Sequence, residues 1–193
     1  MLTNFQIINL AKKMNVPLVG VYFKSELKNM TLKPNKSYII NLDDEFDEDG
    51  QRNEGTHYTC FQYNKYSDGD KVIYFDSFGV CPPQEVLNFC KVKEIPYNTK
   101  DIQSLMNDAC GWYCLAFLHF INAFEKRTND LYEDCEWFTS LFYDLNVEKD
   151  YKFNEWILKM FFKSPNDKSA HTVANVGFTF VADGIANVDT ITK

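Results

Sequence analysis

Apolar residues in the first fifteen positions recur as Phe5, Ile8, Ala11 and Met14. That spacing predicts a helix over 4–15 with those side chains as its buried stripe, and Pro17 marks its end. The pattern then changes to short runs rich in β-branched and aromatic residues. PLVGVYF (17–23) reads as a short strand or a turn-like segment, and KSYIINL (36–42) as a strand ended by charge. THYTCFQYN (56–64) and KVIYFDSFG (71–79) flank the turn signal SDGD (67–70), which predicts a β-hairpin.

Helical patterns return after the hairpin. Prolines open one over 82–91, and a strongly apolar one covers 109–124. Two amphipathic segments follow at 129–145, with Asn129 or Asp130 as its cap, and at 150–162. Past Lys163 the helical stripe is gone and charge is sparse. Residues 164–193 read as a C-terminal tail, an appended strand or a disordered end, after one domain spanning 1–163. Internal repeats are not evident. Strands followed by helices imply an α+β fold: a central, mostly antiparallel sheet with helices packed on it.

Composition narrows the functional classes. The 193 residues are 45% hydrophobic, enough for one domain with a sizeable core. No apolar run of about 18 residues occurs, so a membrane partner is not expected, and the N-terminus does not resemble a signal peptide. The net charge of −7 disfavours nucleic acid as primary ligand. Much of the acidity sits in DDEFDED (43–49), a solvated loop or a substrate-selecting rim just before His57. Six cysteines without a secretory signal suggest free thiols in a reducing compartment.

The chemistry turns on LMNDACGWYCLAFLHF (105–120). Cys60, Cys90, Cys114 and Cys135 sit in apolar patterns and read as core residues. Cys110, Cys114 and His119 make a poor metal set, because no second cysteine pair exists and His119 lies at another helical angle. Neither a metal nor another cofactor is expected. Cys110, in contrast, lies where a helix begins. Asn107 or Asp108 offers an N-cap, and the helix dipole favours a thiolate there. Gly111 would allow a substrate to approach the backbone. Of the three histidines, His119 falls inside the apolar helix and His171 in the tail, whereas His57 stands where a loop meets a strand. Asp76 ends the neighbouring strand and could orient His57. Gln103, seven residues before Cys110, could donate to an oxyanion together with the Cys110 N–H.

Taken in order, GTHYTCFQYN, VIYFDSFG and QSLMNDACGWYCLAFLHF resemble the adenovirus-type maturation cysteine proteases, the adenain family. These belong to the clan that also holds the SUMO-deconjugating proteases; virophage and Maverick/Polinton proteases are the expected nearest kin. The resemblance spans roughly residues 4–125, including VGVYFKSEL before the first central strand. It implies a papain-like, adenain-like fold with the nucleophile at the N-terminus of a buried helix. It gives His57 the role of base, Asp76 of orienting acid, Gln103 of oxyanion donor and Cys110 of nucleophile. The implied activity is a viral thiol endopeptidase that processes capsid and other virion precursors, located in the virion and the infected host cell. A narrow cleft is also implied, with Trp112 and Tyr58 as aromatic linings or, for Trp112, a core residue.

Two departures bear on partners. The acid is Asp76 where adenain has Glu, which is the SUMO-protease choice. Adenain is basic and uses DNA as a cofactor, and the acidity of this chain argues against DNA. Adenain also takes a peptide activator through a disulfide, and Cys90 lies in a comparable region. A SUMO-type deconjugating isopeptidase and a catalytically inactive virion-binding module stand as the alternatives.

Overall fold

The computed structural model describes residues 1–123, 130–144 and 148–163. The 164–193 segment, including His171, lies outside the described residues, as do 124–129 and 145–147. Four strands form one sheet in the order β1-β2-β3-β4: Leu18–Phe23, Lys36–Asn41, Tyr58–Tyr66 and Gly69–Phe75. The pair β1/β2 is parallel, and β2/β3 and β3/β4 are antiparallel. This is the expected α+β, mostly antiparallel sheet with helices on it. The expected hairpin is β3/β4, whose ladder closes at Tyr66 opposite Gly69.

The strand runs are continuously apolar because both sheet faces are covered. Alternation sends Ile39, Cys60, Ile73 and Phe75 to one face and Tyr38, Ile40, Phe61 and Tyr74 to the other. The second face is closed by α2 (Gln84–Cys90) and by a 3-10 segment, Lys24–Asn29, that the sequence pattern did not announce. The first face carries the larger core, built from α1 (Asn4–Lys13), α3 (Cys110–Ala123), α4 (Leu131–Ser140) and α5 (Glu148–Met160). At its centre Phe75 stacks on Phe117 at 4.5 Å, with Phe138 edge-on to both.

The helix α1 begins on a Thr3 capping box with Gln6. Its buried face is Ile7, Leu10 and Ala11, continued by Met14. Phe5 and Ile8, expected in the buried stripe, are exposed instead. Two interleaved three- and four-residue patterns fit this segment, and packing chose the one through Ile7 and Leu10 because that face lies against α3. Asp130 caps α4 through its side chain, as one of the two expected residues.

Candidate active site

The sequence-derived residues converge at one end of the sheet. His57 precedes β3, and its carbonyl accepts the Leu42 N–H at 3.0 Å, which ties it to the end of β2. Asp76 directly follows β4. The β3/β4 ladder ends at Cys60 opposite Phe75, so its continuation brings His57 and the 76–78 turn side by side. The ring of His57 lies 4.7 Å from that of Phe78. His57 Nε2 is 2.9 Å from Asp76 Oδ1.

Helix α3 lies across the start of β3. The thiol of Cys114 donates to the Tyr58 carbonyl at 3.4 Å, and the Cys60 thiol to the Cys114 carbonyl at 3.8 Å. Cys110 is one helical turn before Cys114 on the same face, which sets it beside His57, the residue preceding Tyr58. Cys110 lies close enough to the His57 ring to help hold its proton. With Nε2 engaged by Asp76, Nδ1 is the ring nitrogen left for the sulfur.

The electrostatics follow from these contacts. Burial opposes charge on His57. The hydrogen bond to Asp76 and its negative charge, with Cys110 alongside, outweigh it and raise the His57 pKa from 6.5 to about 9. Burial pushes Cys114 well above its usual range and Cys90 up to about 12. Cys90 is buried in the core on the α2 face.

Asp76 is held from three directions. Phe78 N–H donates to Oδ1 at 2.8 Å. Asn98 accepts the Asp76 N–H at 3.0 Å and donates to the Asp76 carbonyl at 2.7 Å. Gly79 closes the turn onto the Asp76 carbonyl at 2.9 Å with φ of 70°. A Cβ there would stand 2.7 Å from the Thr99 carbonyl group, so only glycine fits.

Gln103 is buried beside this turn. Its main-chain N–H donates to the Ser77 carbonyl at 3.2 Å. Ser77 Oγ donates to Gln103 Oε1 at 2.7 Å, and Gln103 Nε2 donates to the Asn107 carbonyl at 3.0 Å. The amide orientation is therefore fixed, and one of its two N–H groups is committed. Asn107 Oδ1 accepts the Ala109 N–H at 3.3 Å, one residue before Cys110. Cys110 opens α3, so its own N–H has no carbonyl one turn earlier to receive it.

Several expectations need correction. Neither Asn107 nor Asp108 immediately precedes the helix; Ala109 does, its carbonyl taking the Trp112 and Tyr113 N–H groups. Gly111 does not face a substrate. A Cβ there would meet Ile7 at 3.3 Å and Leu2 at 3.5 Å, so this glycine serves the close packing of α3 on the N-terminal region. Tyr58 does not line a cleft either, being buried with its hydroxyl on Asn4 Oδ1 at 2.6 Å. Trp112 packs edge-on against Phe162 at 4.8 Å. His119 is buried, and its Nδ1 lies 3.0 Å from the Met14 carbonyl; burial lowers its pKa. Sequence reasoning missed Ser77, Asn98 and the positioning role of Asn107. DSFG carried a turn signal, but nothing tied Asn98 in PYNTK to a residue 22 positions away.

No family model matches the chain, and no curated protein matches it. Among solved structures, the chain is similar to the ASFV pS273R protease at 13% identity and a TM-score of 0.44, covering 80% of this chain and 66% of that one. It is also similar to HopZ1a in complex with IP6 and CoA, at 9% identity and a TM-score of 0.47, covering 95% of this chain and 56% of that one. The chain thus spans less than two thirds of either protein. At these levels no activity carries over from them.

Proposed function

We propose that this chain is a cysteine endopeptidase of papain-like architecture. The observation that carries the reading is the alignment of Asp76, His57 and Cys110, with Asp76 Oδ1 2.9 Å from His57 Nε2 and Cys110 at the helix start close enough to the same ring to help hold its proton. Asp76 holds the imidazole in one orientation and stabilises its positive charge. His57 takes the thiol proton, and the Cys110 thiolate attacks the scissile carbonyl. The Cys110 N–H and the uncommitted N–H of Gln103 are the oxyanion donors. His57 returns the proton to the leaving amine and then activates the water that frees the acyl-enzyme.

The finer reading is an adenain-like maturation protease that cuts capsid and virion precursors inside the virion or infected cell. The ordered motifs around His57, Asp76, Gln103 and Cys110 support it. A second reading, a deconjugating isopeptidase on a ubiquitin-like tail, is favoured by the choice of Asp at position 76. Incubating the chain with unfolded polypeptide and with a ubiquitin-like conjugate separates them. Cleavage within polypeptides, abolished by Cys110→Ala, supports the endopeptidase. Cleavage of the conjugate alone supports the isopeptidase. Equal action by wild type and Cys110→Ala would contradict both.

A further inference from the structure

The connection between β2 and β3 is long for a link between neighbouring antiparallel strands, yet it is tied together. Phe46 bridges Arg52, the Asp47 N–H donates to the Gln51 carbonyl at 2.9 Å, and the Asn53 N–H donates to the Glu45 carbonyl at 3.0 Å. These bonds make 45–53 a small arm of its own. A separate set of contacts holds the base of the arm to the sheet. They meet at Asn41, the last residue of β2.

Asn41 is polar but only 2% exposed, and a polar side chain stays buried where partners hold it. Its Oδ1 accepts the Asp43 N–H at 3.0 Å, which turns the outgoing chain. Against the same side chain lies Gly55 of the returning chain. A Cβ on Gly55 would overlap Asn41 Nδ2 and stand 2.6 Å from its Cγ, and φ there is 87°. The backbone at residue 55 therefore rests directly on the Asn41 amide, which only glycine allows. Thr56 Oγ1 then donates to Asp43 Oδ1 at 3.2 Å, and the His57 carbonyl takes the Leu42 N–H at 3.0 Å. One side chain thus touches both legs of the arm, two residues before the histidine. We propose that Asn41 is a positioning residue for His57: it is the seat on which Gly55 rests, and it aims the imidazole between Asp76 and Cys110. This inference rests on the reading of His57 and Cys110 as the catalytic pair. A displacement of about 1 Å in such a pair costs up to roughly a hundredfold in rate.

The test compares Asn41→Ala and Asn41→Ser with Asn53→Ala. Asn53 Nδ2 donates to the Asp44 carbonyl at 2.8 Å within the arm, so its loss loosens the arm without touching the seat. Asn41→Ser keeps an acceptor for the Asp43 N–H but leaves the space under Gly55 empty, and it decides the question if Asn41→Ala does not fold. The readouts are the rate of Cys110 alkylation by iodoacetamide across pH and the titration of the His57 ring by NMR. Both Asn41 variants are expected to slow Cys110 near neutral pH by roughly tenfold or more and to return the His57 titration toward that of an ordinary histidine. Asn53→Ala is expected to match the wild type in both. A folded Asn41 variant that loses stability but keeps the wild-type rate and titration would make Asn41 a strand cap and overturn the inference. An equal loss in Asn53→Ala, or failure of both Asn41 variants to fold, would overturn it as well. A wild type whose Cys110 reacts no faster than the buried Cys60 and Cys114 overturns it together with the peptidase reading.

Discussion

Asn98 holds the main chain of Asp76 from both sides, accepting its N–H at 3.0 Å and donating to its carbonyl at 2.7 Å. The same side chain donates to the Lys100 carbonyl at 3.2 Å, and Asn98 is fully buried. Asn98→Ala would leave the Asp76 N–H and the Lys100 carbonyl without partners, and the Asp76 carbonyl with Gly79 alone. A stability loss of about 2–4 kcal/mol is expected from urea unfolding. A loss below about 1 kcal/mol would mean that Asn98 does not fix the acid.

The charge on His57 depends on Asp76. Its pKa of about 9 lies above the ordinary 6.5. A group raised on folding stabilises the fold fully below its unfolded pKa and ceases to do so as pH rises through its folded one. His57 therefore contributes most below about pH 6.5, and its contribution fades between there and pH 9. Asp76→Asn should return the His57 titration, followed by NMR of the ring, toward its ordinary value and flatten this pH dependence. An unchanged titration would show that Asp76 is not the partner that holds the proton.

Two glycines should respond differently to alanine. At Gly79 the positive φ and the Thr99 carbonyl at 2.7 Å both resist a Cβ. A cost of about 2 kcal/mol or more is expected there, with a loss of activity as the 76–79 turn shifts. At Gly111 the nearest atom is the flexible end of Ile7 at 3.3 Å. Alanine also gains about 1 kcal/mol in helix propensity, so Gly111→Ala should be near neutral. Matching melting temperatures for the two variants would contradict this contrast.

Ser77 and Gln103 form the next testable pair. Gln103→Ala should lower turnover by roughly 10²–10³ as an oxyanion donor is lost. Ser77→Ala removes the 2.7 Å bond that orients the amide and should lower kcat more than it changes KM. Unchanged kcat in Gln103→Ala would remove Gln103 from the mechanism, and unchanged kcat in Ser77→Ala would show that the Asn107 contact alone orients the amide.

Much of this arrangement was legible because local patterns and motif order agree. The runs around Ile39, Phe61 and Tyr74 are strands by composition, and His57, Asp76 and Cys110 each stand at the edge of an element. What stayed hidden depends on tertiary contact. Phe5 and Ile8 fit a helical stripe as well as Ile7 and Leu10 do, and only the packing of α3 distinguishes them. Gly111 looks like a substrate-facing glycine until Leu2 and Ile7 are seen filling the space beside it. Asn98 and Ser77 act through hydrogen bonds to residues more than twenty positions away, and such pairs leave no periodic trace in a sequence.

The central claim is that Cys110 and His57 form a thiolate–imidazolium pair. Iodoacetamide alkylation of each of the six cysteines across pH, read by mass spectrometry on wild type and His57→Ala, tests it without a substrate. The account predicts that Cys110 alone is modified rapidly near neutral pH and that His57→Ala slows it. Labelling of Cys110 no faster than that of the buried thiols Cys60, Cys114 and Cys135, or labelling indifferent to His57, would contradict it.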